Sequence, residues 1–173
     1  MKYILYINFL LFLVGCTSPI KQKNEGIVNQ HIQTIISQLE DNNIGLIKYL
    51  NKSGKEDTLK IESVNWKKEL SIFINNDIKP NNLTKYNVVD DKQKSTVTYI
   101  SKDESNKIKF LNIKFNNEIV ETIKISIVNQ ENIYDIKYEL EINRKNGFLI
   151  EAQHQVDYLY KDDFRVEGKF FKK

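Results

Sequence analysis

Cys16 is the sole cysteine of the chain, and it closes the stretch Leu13-Val14-Gly15-Cys16 at the end of an apolar N-terminus. A thiol is a nucleophile that can take a lipid, and the small residue before it suits a peptidase, which must grip an extended backbone there. A lone cysteine has no internal disulfide to form, which gives the modified thiol the better claim on it. Lys2 supplies a positive start, and Tyr3 to Val14 is apolar apart from Asn8. That run is about a dozen residues, whereas a bilayer span takes about 20. These features predict a lipoprotein signal peptide over residues 1–15, a lipidated Cys16 with a tether to residue 25, and a single domain over 26–173. An ordinary secretory signal and a buried N-terminal helix are the competing readings.

The remaining chemistry is sparse. The chain holds two histidines. His31 reads as a surface residue of a helix. His154 alternates onto an apolar strand face between Ala152 and Val156, as a hydrogen-bonded core residue or as a polar handle in a pocket. No second His or Cys stands at ligand spacing, so no metal site is expected. Glu69 with Asp77, or Asp90 with Asp91, are the carboxylate pairs a glycoside hydrolase would need; Glu69 reads better as a solvated helix charge and Asp90-Asp91 as a turn. No serine stands in a Gly-x-Ser-x-Gly elbow. No catalytic residue and no cofactor is assigned.

The elements that must carry these residues divide the chain in two. Val28, Ile32, Ile35, Leu39, Leu46 and Leu50 keep helical spacing, which predicts a helix from about Gly26 to Leu50, weakened at Asn42, Asn43 and Gly45. Lys52-Ser53-Gly54-Lys55 is a turn, and Asp57 or Thr58 can cap a second helix running to about Asn75 with Leu59, Trp66, Leu70 and Phe73 on its stripe. After Pro80 the period falls to two. Tyr134, Ile136, Tyr138, Leu140 and Ile142 alternate with charged residues, and Phe148 to Tyr160 and Phe164 to Phe170 form further faces. Short polar links, Lys161-Asp162-Asp163 among them, imply antiparallel neighbours. In Ile108 to Phe115 the apolar phase slips at Phe110-Leu111, as at a β-bulge.

The expected fold class is therefore α+β: two N-terminal helices, then a curled, half-barrel-like antiparallel meander of six or seven strands packed on the second helix. His154, Tyr138, Tyr158 and Trp66 are the residues of a candidate groove or polar handle on its inner face.

Leu13-Val14-Gly15-Cys16 resembles the bacterial lipobox. Trp66-Lys67-Lys68-Glu69-Leu70-x-x-Phe73, Asp77-Ile78-Lys79-Pro80, Asn132-Ile133-Tyr134, Phe148-x-Ile150-x-Ala152-x-His154 and Asp163-Phe164-x-Val166-x-Gly168-x-Phe170 resemble segments of a family of uncharacterised lipoproteins from Bacteroidota. That family more often has Asp-Ile-Asn-Lys-Pro at the proline motif, and Gly and Gln where Ala152 and His154 stand. The resemblance implies a lipid-anchored protein facing the periplasm, helical first and β-sheet after, with no activity to transfer; the expected location is the periplasmic face of the bacterial outer membrane.

A formal charge of +3 with 28% charged residues gives no electrostatic case for nucleic acid. The expected partners are the membrane, through acyl chains on Cys16, and a protein or lipophilic ligand. A non-enzymatic binding or structural module is the leading expectation, ahead of a carrier or sensor of a lipophilic molecule and of a hydrolase.

Overall fold

The computed structural model describes residues 25–130, 134–156 and 160–173. Cys16, the expected signal peptide over 1–15, most of the expected tether and Tyr158 lie outside the described residues. The chain forms α1 (Ile27–Asp41), β1 (Ile44–Lys52), β2 (Lys55–Ile61), α2 (Trp66–Glu69), α3 (Ser71–Asn75), a 3-10 helix (Pro80–Lys85), β3 (Tyr86–Asp91), β4 (Thr96–Ser101), β5 (Ile108–Asn116), β6 (Ile119–Gln130), β7 (Tyr134–Asn143), β8 (Gly147–Val156) and β9 (Tyr160–Lys172). All the strands join one nine-stranded sheet in the order β2-β1-β9-β8-β7-β6-β5-β4-β3, and every pairing is antiparallel.

This corrects the expected fold class. The sheet is not a six- or seven-stranded meander behind two helices, because two segments expected to be helical are strands. α1 stops at Asp41, and Asn43 takes a left-handed φ of +49° that turns the chain. Ile44 then starts β1, which pairs with β9 from Ile44↔Lys172 to Lys52↔Phe164. The segment expected to open the second helix is β2, and the turn before it is a hairpin: Ser53 and Gly54 both have positive φ, at +50° and +80°, the backbone a two-residue hairpin loop requires. What remains of that helix is α2 and α3, and the α2 cap is Asn65, whose Oδ1 accepts from Lys68 N at 3.1 Å.

Rows of paired residues show how the core is made. Leu111, Ile125, Leu140, Ile150, Val166 and Leu50 stand opposite one another in successive strands, a single apolar row across six of them. The neighbouring row runs Ile113, Ile123, Ile142, Phe148, Gly168, Lys48. A Cβ at Gly168 would press into the Phe148 ring, so the glycine makes room for that phenyl, and Phe73 of α3 seats edge-on against it at 6.4 Å. Trp66 packs edge-on against Phe170 at 5.3 Å. α1 contributes Val28, Ile32, Ile35, Ile36 and Leu39, all buried on one stripe.

The phase slip in β5 is a bulge: register steps from Ile108↔Ile127 to Phe110↔Ser126, leaving Lys109 as the extra residue. Leu111 is therefore buried while Phe110 turns to the opposite, outer face, 37% exposed. That outer face is otherwise wet and carries cross-strand ion pairs, Arg165–Glu151 at 2.6 Å and Lys124–Glu141 at 2.9 Å.

Candidate functional site

The helices cover only part of the inner face. β7 and β8 extend past the packed core, and there Ile136 stands opposite His154 while Tyr134 stands opposite Val156. All four are half-buried and lie outside the buried cluster that α1, α2 and α3 close over. Tyr138, one step nearer the core, meets His154 edge-on with centroids 6.1 Å apart. Together they make an apolar strip with an imidazole in it.

A polar cluster borders the strip. His154 stands opposite Asp162 across the β8–β9 pair, and Asp162 is buried, at 8% exposure. The Ser53 hydroxyl donates to Asp162 Oδ1, and Lys52 Nζ lies 3.4 Å from Oδ2. Ser53 N also donates to the Asp163 carbonyl at 3.3 Å, tying the β1–β2 hairpin to β9. A buried carboxylate must be met by donors, and the hairpin supplies two of them.

Of the residues singled out in the sequence, the structure brings His154 and Tyr138 together and sets Trp66 apart. Trp66 is 2% exposed and belongs to the helix–sheet core, not to the strip. Asp162 and Ser53 were missed as site residues. Lys161-Asp162-Asp163 lies within β9 rather than in a turn, and the only hint was parity, since Asp162 shares the even-numbered face of Phe164 and Val166.

Glu69 and Asp77 are each engaged by other groups. Glu69 Oε2 pairs with Lys48 Nζ at 2.8 Å, both half-buried. Asp77, whose side chain is 1% exposed, accepts from Val28 N at 2.8 Å and Asn29 N at 3.2 Å. It caps α1 from outside, where Gly26 offers no side-chain cap of its own. Burial pushes the Asp77 carboxyl above its usual range, against the lowering effect of those amides. Burial likewise holds His31 below its ordinary value, opposed by the charge of Asp77. His31 packs edge-on against Phe115 at 5.8 Å.

Among the described residues no cluster of His, Cys, Asp and Glu could hold a metal ion, and no helix is long and apolar enough to cross a membrane. On the outer face a depression of about 530 Å3 is lined by Glu141, Leu149, Arg165, Glu167 and Lys169 among others. Its Arg165 and Lys169 are engaged with Glu151 and Glu167, which leaves the inner strip as the better candidate.

The described residues define a nine-stranded antiparallel sheet with one helical layer, and no described helix closes over the β7–β8 end of its inner face. No protein-family model matches the chain, no curated protein is similar to it in sequence, and no solved structure matches it.

Proposed function

We propose that this chain is a lipid-anchored binding module, held through acyl chains on Cys16 at the periplasmic face of the outer membrane and working without catalysis. The observation that carries the binding part is the inner strip: Tyr134, Ile136, His154 and Val156 stand half-buried outside the core, with half-buried Tyr138 at its rim, beside the Ser53–Asp162–Lys52 cluster. Half-buried aromatic and aliphatic side chains with a few polar groups at one end suit an amphipathic ligand or peptide segment. The anchor part rests on Leu13-Val14-Gly15-Cys16 and on the absence of a second cysteine. The same strip favours a second reading, a carrier of a lipophilic molecule, because the space under the helices is filled by Trp66, Leu70, Phe73 and Phe148 and a ligand must use the end that no described helix covers.

Two measurements test this. Intact mass of the membrane-extracted protein is expected to show a chain starting at Cys16 with acyl additions, and Cys16→Ala is expected to release it from membranes; an unmodified thiol sinks the anchor. Native mass spectrometry of the same protein is expected to find an amphiphile or peptide retained by wild type and lost in Tyr138→Ala/His154→Ala. Equal retention by the double variant would remove the strip from the function.

A further inference from the structure

The β3–β5 end of the sheet carries an exposed apolar pair beside a basic cluster. Ile100 stands opposite Phe110 in the β4–β5 pair, and the two are 44% and 37% exposed. Val89, on the same outer face of the edge strand, is 52% exposed. Around them lie Lys85, Lys102 and Lys107, all exposed, and half-buried Lys109. Lys102 is drawn onto the 3-10 helix, its N donating to Lys85 O at 3.0 Å and its Nζ to Thr84 O at 3.0 Å. Lys109 Nζ donates to the Glu104 carbonyl. Asp103 and Glu104 offset part of this charge, and Asp103 is held below its usual range first by the Ser105 amide and also by the field of Lys109 and Lys85.

The basic cluster is joined by the 3-10 helix to the point where the chain enters the domain. Gly26 abuts Asp77, Lys79 lies beside that carboxylate at 4.0 Å, and the 3-10 helix Pro80–Lys85 runs from there to the basic cluster, about 12 Å at roughly 2.0 Å per residue. Residues 17–25 span at most about 30 Å when fully extended.

We propose that this face docks on anionic phospholipid headgroups, with Phe110 and Ile100 entering the interface and Lys85, Lys102, Lys107 and Lys109 meeting the phosphates. The proposal rests on the anchored reading: acyl chains on Cys16 confine the domain within tether length of a bilayer, and the patch then fixes which side faces it. Exposed apolar residues ringed by lysines are the composition that binds such a surface, and each lysine near an anionic leaflet strengthens binding about fivefold. β2 forms the opposite edge, roughly 38 Å away at about 4.8 Å per strand, so docking at β3–β5 leaves Lys55 and Lys60 in water.

The test uses the lipidated protein reconstituted into vesicles of phosphatidylcholine alone or with a third phosphatidylglycerol, followed by amine acetylation and site-by-site mass spectrometry. The expected result is several-fold slower labelling of Lys85, Lys102 and Lys107 in the anionic vesicles only. Lys55 and Lys60 serve as unchanged internal controls, and the protection should disappear in molar salt and in Ile100→Ser/Phe110→Ser. Equal labelling in both vesicle types overturns the proposal. So does protection that persists in neutral detergent, which would mean that a second copy covers the patch. Acyl mass on Cys16 is read from the same sample, so a failed anchor and a failed docking face give different results.

Discussion

Gly26 and Asp77 meet at the start of α1, where the carboxylate occupies the space a side chain at position 26 would need. From 49 residues downstream, Asp77 satisfies amides that a helix N-terminus otherwise leaves unmatched. Gly26→Ala must push it away, and we expect a loss of about 2 kcal/mol in urea unfolding. Asp77→Ala should cost a similar amount, and the double variant much less than the sum, since either change breaks the same cap. Full additivity would mean that the two residues act separately.

The same carboxylate gives a pH signature. Asp77 is pushed up from 3.8 by burial, so its contribution is complete below pH 3.8 and is lost as pH rises through the raised value. His31 has the opposite sign. Held below 6.5 by burial, it contributes fully above pH 6.5 and loses that contribution as pH falls through the lowered value. Asp77→Asn keeps an acceptor for the cap, so its stability relative to wild type should improve from pH 3.8 toward neutrality. His31→Gln should flatten the loss that wild type shows below pH 6.5. Parallel stability–pH curves for wild type and each variant would contradict both assignments.

The misreading of β1 has a physical cause in the number four. Leu46 and Leu50 are four residues apart, a spacing that keeps one face in a helix and also in a strand, so the pair fits both periods. Leu39 extended the apparent stripe across Asn42-Asn43, and only the left-handed turn at Asn43 breaks it. β2 was hidden for another reason. As an edge strand of Lys-Glu-Asp-Thr-Leu-Lys-Ile it buries little, so its alternation carries almost no apolar signal, as charged edge strands generally do not. The long inner strands had no such ambiguity, because Tyr134 to Ile142 alternate strictly. In the site, His154 and Tyr138 were legible by that alternation, whereas Asp162 reaches Ser53 and Lys52 through the β1–β9 pairing, a contact between chain ends that local patterns do not encode. The slip at Phe110-Leu111 was legible because a bulge is itself a local event.

Lys48 and Glu69 form a half-buried pair on the helix-covered face. Both heads keep some contact with water, so the coupling should reach only about 1 kcal/mol, the upper end for partly solvated pairs. A double-mutant cycle with Lys48→Met and Glu69→Gln measures it. Each single change should cost more than the double, because it leaves one half-buried charge without its partner.

Ser53 combines a strained backbone with a useful hydroxyl. Its φ of +50° penalises any residue with a Cβ by about 1 kcal/mol, while its hydroxyl donates to buried Asp162. Ser53→Ala loses the donor and keeps the strain, so it should destabilise by about 1–2 kcal/mol. Ser53→Gly loses the donor and relieves the strain, so it should lie close to wild type. Ser53→Ala unfolding at the wild-type temperature would show that the hydroxyl contributes nothing, and alanine ranking at or above glycine would show the same of the strain.

Trp66 and His154 separate the core from the strip. Trp66 is the single tryptophan, 2% exposed and edge-on to Phe170, so its emission should be blue-shifted and resistant to iodide. Trp66→Ala should cost about 3–5 kcal/mol, as loss of a large buried aromatic does. His154 is half-buried and outside the core cluster, so His154→Ala should change stability by less than about 1 kcal/mol. An amphiphile bound at the strip should therefore leave Trp66 emission unchanged while His154→Ala weakens its binding. Quenching or shifting of Trp66 by the ligand would mean that it enters between the helices and the sheet, and the strip would then be only the mouth of a site that opens.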